Sequence, residues 1–200
     1  MSVIRAFIAI ALPPDIQECL QLVSTNLKEQ LGEKAVRWVP VENIHLTLKF
    51  LGDVSVANLD VLKEIISAEA ASHKPMEFSV GRLGAFPKAR RPRVIWVGVE
   101  APSELFALQR GIEARTTRVG YPPDERDFSP HLTLGRVTRT ASPGEVRKIG
   151  DVLSSSSVGF LGAARVQTLH LFKSDLQPSG AVYSKMFSAP LGEVEFRKEN

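Results

Sequence analysis

The chain has 200 residues, 44% hydrophobic and 24% charged, enough to bury a sizeable core in one domain or two small lobes and too apolar for a disordered chain. A formal charge of +3 and a pI near 9.1 permit a phosphate-bearing partner without requiring one. The single cysteine, Cys19, excludes an intramolecular disulfide and a zinc cluster of several thiolates, and among apolar residues at helical spacing it reads as a core thiol.

The run Ala6 to Leu12 is too short, and too poorly charged in front, to be a secretory signal, and Pro13-Pro14 stops it. It reads as a buried strand over Ile4 to Ala11 leading into a helix. No segment is long enough to span a bilayer, so a cytoplasmic location is the default expectation. Ile16, Cys19, Leu20, Val23, Leu27 and Leu31 keep to one face of a helix that Gly32 ends. A short polar connection through Trp38 and Pro40 leads to a strand Ile44 to Leu51, a helix bearing Leu59, Leu62, Ile65 and Ile66, and a strand near Met76 to Leu83.

The second half repeats this order. A strand Val94 to Val99 precedes a helix Ser103 to Val119, with Leu105, Leu108, Ile112 and Val119 on one stripe, and then a strand His131 to Val137. Ser142-Pro143-Gly144-Glu145 marks another helix start, with serine as cap, proline in the first turn and glutamate closing a capping box. Val146, Ile149 and Leu153 are its apolar positions. After a loose linker Ser154 to Ser157, strands near Arg165 to Phe172 and Val182 to Phe187 finish the chain. His45 lies 37 residues after Ile8, and His131 lies 36 after Ile95. Both open the same tetrapeptide, His-Leu-Thr-Leu, at the same place in the order of elements. A tandem duplication follows, packed as one domain of two pseudo-symmetric lobes, roughly 1–88 and 93–187, joined by Phe86 to Arg93.

In a strand, residues two apart share a face, so His45 and Thr47 point one way while Leu46, Leu48 and Phe50 point the other; the same holds for His131 and Thr133. If the lobes face each other, two histidines and two threonines converge on one cleft. Such a set suits phosphoryl chemistry, in which the attacking water loses a proton and the leaving oxygen gains one on the opposite side. The threonine hydroxyls would hold non-bridging oxygens. Arg136, on the outward face or close to it depending on how the strand bends at Gly135, would add a fixed positive charge. Threonine is a poor metal ligand, and neither His-Glu-x-x-His, a Walker-type glycine loop nor Gly-x-Ser-x-Gly is present.

At these residues the sequence resembles the two-histidine phosphoesterases, and within them the bacterial and archaeal RNA 2′,3′-cyclic phosphodiesterases historically called 2′-5′ RNA ligases. The likeness runs through Arg5 to Ile10, His45 to Gly52, Phe86-Pro87 before Arg93 to Trp96, His131 to Arg136, and the closing Ser174 to Tyr183. It implies an α+β bilobal fold with two antiparallel sheets lining a central cleft and helices outside. It implies hydrolysis of 2′,3′-cyclic phosphates to 2′-phosphomonoesters without metal or other cofactor, His45 donating a proton and His131 accepting one. The expected partner is RNA ending in a cyclic phosphate, or a small cyclic nucleotide; no membrane or protein partner is implied. A 2′-5′ ligase would use the same four residues, and a nucleotide-binding module without turnover is the third reading.

Other residues weigh less. The basic run Lys88, Arg90, Arg91 and Arg93 reads either as an RNA-backbone contact or as a solvated loop. Phe7 and Phe50 could stack on a base but read better as core, and Trp96 reads as core. Neither His73 nor His170 repeats, and neither is expected to act in catalysis.

Overall fold

A computed structural model describes residues 2–177 and 180–192. In chain order the elements are β1 (Val3–Ala11), α1 (Pro14–Leu31), β2 (Val36–Trp38), β3 (His45–Ser55), α2 (Leu59–Ala71), β4 (Met76–Phe86), β5 (Val94–Glu100), α3 (Ser103–Arg118), β6 (His131–Val137), α4 (Pro143–Ser155), β7 (Phe160–Val166), β8 (Thr168–Gln177) and β9 (Gly180–Pro190). Helix ends follow local chemistry. At α1, Gly32 adopts φ 73° and returns its N–H to the Lys28 carbonyl at 2.7 Å, a left-handed cap that glycine takes without a Cβ penalty. At α4, Ser142 and Glu145 satisfy each other's backbone N–H groups in a capping box.

All strand pairs are antiparallel, in the order β7-β4-β5-β6-β3-β1-β8-β9, with β2 beside β6. The two expected sheets are the two four-stranded halves of this order, and they meet at a thin seam where β3 and β6 pair through Leu46 and Leu132. The halves exchange strands. β4, from the first copy of the repeat, pairs with β5 and β7, whereas β8, from the second, pairs with β1. Each half of the sheet is therefore completed by the other half of the chain.

Three readings need correction. The run Arg165 to Phe172 is two strands, β7 and β8, broken at Gln167. They lie far apart in the strand order yet are joined by one residue, and two virtual bonds span at most about 7.6 Å. The sheet must curl until these ends meet, which is what makes one face concave. The connection through Trp38 contains β2, whose residues Val36 to Trp38 pair with Gly135 to Val137. The Ser154 to Ser157 linker is shorter than expected, because α4 continues to Ser155. Within the closing Ser174 to Tyr183 stretch, Pro178 and Ser179 lie outside the described residues.

The helices cover the face opposite the histidines. Leu46, Leu48, Leu132 and Leu134 are all buried, and Ile16 and Leu20 of α1, Leu62 and Ile66 of α2, Leu108 and Ile112 of α3, and Ile149 of α4 join the same core. Each such side chain contributes about 1.5–3 kcal/mol on burial. The two tetrapeptide strands are thus pinned from behind by leucines. No described helix is long and apolar enough to cross a membrane.

Candidate active site

The strands carrying the two tetrapeptides share a distortion. On β3, Ala9 faces Thr47 and Ile8 faces Lys49, so Leu48 is an extra residue; on β6, Trp96 faces Thr133 and Ile95 faces Gly135, so Leu134 is extra. A bulge at the same point of each copy shifts the alternation by one. The burial sequence of residues 45–51 is accordingly identical to that of 131–137, with two buried residues in succession followed by an exposed one. Lys49 and Gly135 turn inward. Phe50 and Arg136 swing onto the face of the histidines, which corrects the placement of Phe50 with the leucines: it is 58% exposed and lines the cleft.

Each imidazole is held in the same way. His45 Nδ1 donates to the Asn43 carbonyl at 2.8 Å, and His131 Nδ1 donates to the Ser129 carbonyl at 2.7 Å. A carbonyl only accepts, so Nδ1 carries the hydrogen and the neutral ring keeps its lone pair on Nε2. Continued through the antiparallel Leu46–Leu132 pair, the register sets His45 opposite Thr133 and Thr47 opposite His131. The four side chains form one square on the concave face. Its diagonal, from histidine to histidine, is roughly 7–8 Å between backbones in a regular ladder.

Electrostatics favour neutral rings in the free protein. Burial lowers the His45 pKa to about 4 against the Asn43 hydrogen bond that raises it, and the charges of His131 and Arg136 lower it further. Burial and Arg136 likewise lower His131, opposed by its bond to Ser129. Arg136 thus acts on both rings, and it also acts on Tyr183, whose phenol burial pushes up.

Aromatic rings fix the imidazoles laterally. Phe7 stacks on His45 at 4.6 Å between centroids, Tyr183 meets it edge-on at 5.2 Å and Phe172 lies behind at 6.1 Å, while Phe86 packs edge-on against His131 at 4.9 Å. Phe172, Tyr183 and Phe86 are not among the site residues expected from the sequence, although each falls in a strand or a segment read there; their signal is pairing, since Phe172 faces Phe7 across β1 and β8. Beside His131 a cavity of about 610 Å³ opens, lined by Thr47, Phe50, Phe86, His131, Arg136 and the loop 123–129.

Other candidates fall outside this cluster. Lys88, Arg90 and Arg91 are exposed in the β4–β5 turn, tied by Arg91 N–H to the Lys88 carbonyl and by Arg93 N–H to the Phe86 carbonyl. The turn is at the Arg136 end of the cleft, since Val94 faces Arg136. His170 pairs with the Ser188 hydroxyl and His73 with the Glu69 carboxylate. Trp96 is not core: it lies on the concave face over Gly84, where a Cβ would overlap its ring. Cys19 is half-buried. Among the described residues no three or more His, Cys, Asp or Glu side chains converge as metal ligands would.

Two successive stretches, 10–96 and 97–183, each match the model of the LigT-like phosphoesterases, consistent with the duplication. The chain is 33% identical over 183 residues to the RNA 2′,3′-cyclic phosphodiesterase of Methanothermobacter thermautotrophicus, covering 92% of this chain and 96% of the relative. It is 28% identical over 196 residues to the protein of the same name from Aquifex aeolicus, covering 96% and 100%. Among solved structures, TT0787 of Thermus thermophilus superposes with a TM-score of 0.78 at 25% identity over 94% of this chain and 97% of that one. Escherichia coli LigT complexed with 3′-AMP gives 0.76 at 24% identity over 95% and 99%. Paired motifs, their duplicated setting and likeness along almost the whole length agree: the chain belongs to the LigT-like phosphoesterase family.

Proposed function

We propose that the protein hydrolyses 2′,3′-cyclic phosphate ends of RNA to 2′-phosphomonoesters, without a metal ion, by acid–base catalysis between His45 and His131. The observation that carries this reading is the matched pair of imidazoles, one from each copy of the repeat, each anchored through Nδ1 to a backbone carbonyl so that its Nε2 keeps the lone pair. His131 accepts a proton from water as that water attacks phosphorus; His45 donates one to the departing 3′ oxygen. The P–O3′ bond breaks, the new P–O bond forms, and the phosphate stays on the 2′ oxygen. Thr47 and Thr133 bind the non-bridging oxygens, and Arg136 balances the charge that develops on them. The names of the relatives support the substrate class.

The assignment of acid and base follows the family resemblance, because the two rings are anchored in the same way. Incubation of 2′,3′-cyclic AMP and of RNA ending in a cyclic phosphate, with chelator present, is expected to yield 2′-phosphomonoesters. His45→Ala and His131→Ala should each lower kcat by at least about a hundredfold. Formation of 3′-phosphates, loss of activity on chelation, or mostly joined product when an RNA with a 5′-hydroxyl is added would overturn the reading.

A further inference from the structure

Beyond His131 the concave face carries a row without side chains. The register leads from His131 on β6 to Gly98 on β5, from Gly98 to Gly81 on β4, and from Gly81 to Phe160 on β7. Directly opposed residues in antiparallel strands point to the same face, so two glycines separate the imidazole from the phenyl ring. With strands about 4.8 Å apart, the trough between them spans roughly 14 Å. It floors a second cavity of about 690 Å³, walled by Trp96, Phe106, Phe160, Arg82, Glu100 and Ser129. Ser129 lines both cavities and its carbonyl orients His131, so the two spaces adjoin at the proposed catalytic centre.

The walls suit a nucleobase. Phe160 is 74% exposed, so its ring face is available for a base to stack on. The Trp96 indole lies over Gly84 and beside Gly98, and presents itself to the cavity. At the rim, Arg82 holds a left-handed backbone, φ 64°, with its N–H on the Val158 carbonyl at 3.0 Å, a conformation uncommon outside glycine. Gly81 also serves the fold, because a Cβ there would stand 2.6 Å from the Gly159 carbonyl oxygen. The lining also holds Glu100, whose carboxylate accepts hydrogens from an exocyclic amino group, and Arg82, whose guanidinium attracts phosphate.

We propose that this trough is a subsite for the RNA nucleotide next to the one bearing the cyclic phosphate, its base stacked on Phe160 and Trp96 and its backbone phosphate held by Arg82. This rests on the reading of the site as an RNA cyclic phosphodiesterase. It makes the enzyme prefer an RNA end over a free cyclic nucleotide.

The test compares a 2′,3′-cyclic mononucleotide with a short RNA ending in a 2′,3′-cyclic phosphate, for wild type, Phe160→Ala and Arg82→Gln. Phe160→Ala should raise KM for the RNA about tenfold and leave the mononucleotide constants unchanged. Arg82→Gln should also weaken the RNA and reduce the salt dependence of its KM. Equal losses on both substrates, or no loss on either, in variants that melt like wild type would overturn the subsite. Wild-type protein inert on both substrates would instead sink the phosphodiesterase reading and the subsite with it.

Discussion

At the residue scale the chemistry depends on how two rings of the same type are tuned. Burial and the Arg136 guanidinium hold both imidazoles below their ordinary pKa, His45 to about 4. Both therefore start neutral at pH 7. An anionic phosphodiester between them reverses part of this, since its charge favours imidazolium at the ring that must donate. The pH optimum of kcat/KM, which reports the free protein, should lie below 6.5, and that of kcat should lie higher. Arg136→Gln removes a cation from both rings, so the NMR titration midpoints of His45 and His131 should both rise in the free protein. A rise at one ring alone, or a fall at either, would show that the guanidinium does not face the two together.

At the element scale the bulge and what fills the space behind it decide the geometry. Gly135 turns inward on β6 and lets β2 come close: a Cβ there would stand 2.7 Å from Val36 Cγ1. Its counterpart on β3 is Lys49, whose side chain is fully buried, with Nζ 2.6 Å from Glu113 Oε1 and 2.6 Å from the Pro122 carbonyl. Asp124 completes this knot, its N–H donating to Glu113 and its carboxyl pushed up by burial despite Lys49 nearby. The knot fastens the start of the loop that ends at Ser129, the acceptor for His131. Lys49→Met leaves Glu113 short of its partner and should cost about 3–5 kcal/mol in urea unfolding, while Lys49→Met with Glu113→Leu should recover much of it. Full stability in the single variant would mean that the pair holds nothing. None of this was legible from strict alternation. A period of two put Phe50 among the leucines, because nothing in His-Leu-Thr-Leu-Lys-Phe marks the inserted residue, and a lysine on an inward position reads as a solvent residue until its carboxylate partner, 64 positions on, is known.

At the scale of the whole molecule the duplication was written in the text and the exchange of strands was not. Motif spacing and the order of elements revealed two copies, four helices and the paired His-x-Thr faces, because each is a local or periodic signal. Which strand pairs with which depends on contacts across the chain, so the passage of β4 and β8 into opposite halves, and the break at Gln167, were invisible. That exchange predicts that residues 1–92, expressed alone, lack the partners of β4 and show no cooperative unfolding, whereas co-expression with residues 93–200 restores it. A cooperative transition in the isolated first copy would contradict the interlocked sheet.

The seam between β3 and β6 is where two copies of one motif become a single site, and NMR of the imidazole nitrogens observes it directly. On titration with 2′-AMP, a product of the proposed reaction, the ¹⁵N signals of Nε2 in both His45 and His131 should move along one shared binding isotherm, with both Nδ1 signals staying near their carbonyl-bonded positions. Movement of one ring only, or two rings following different midpoints, would contradict a phosphate held between them.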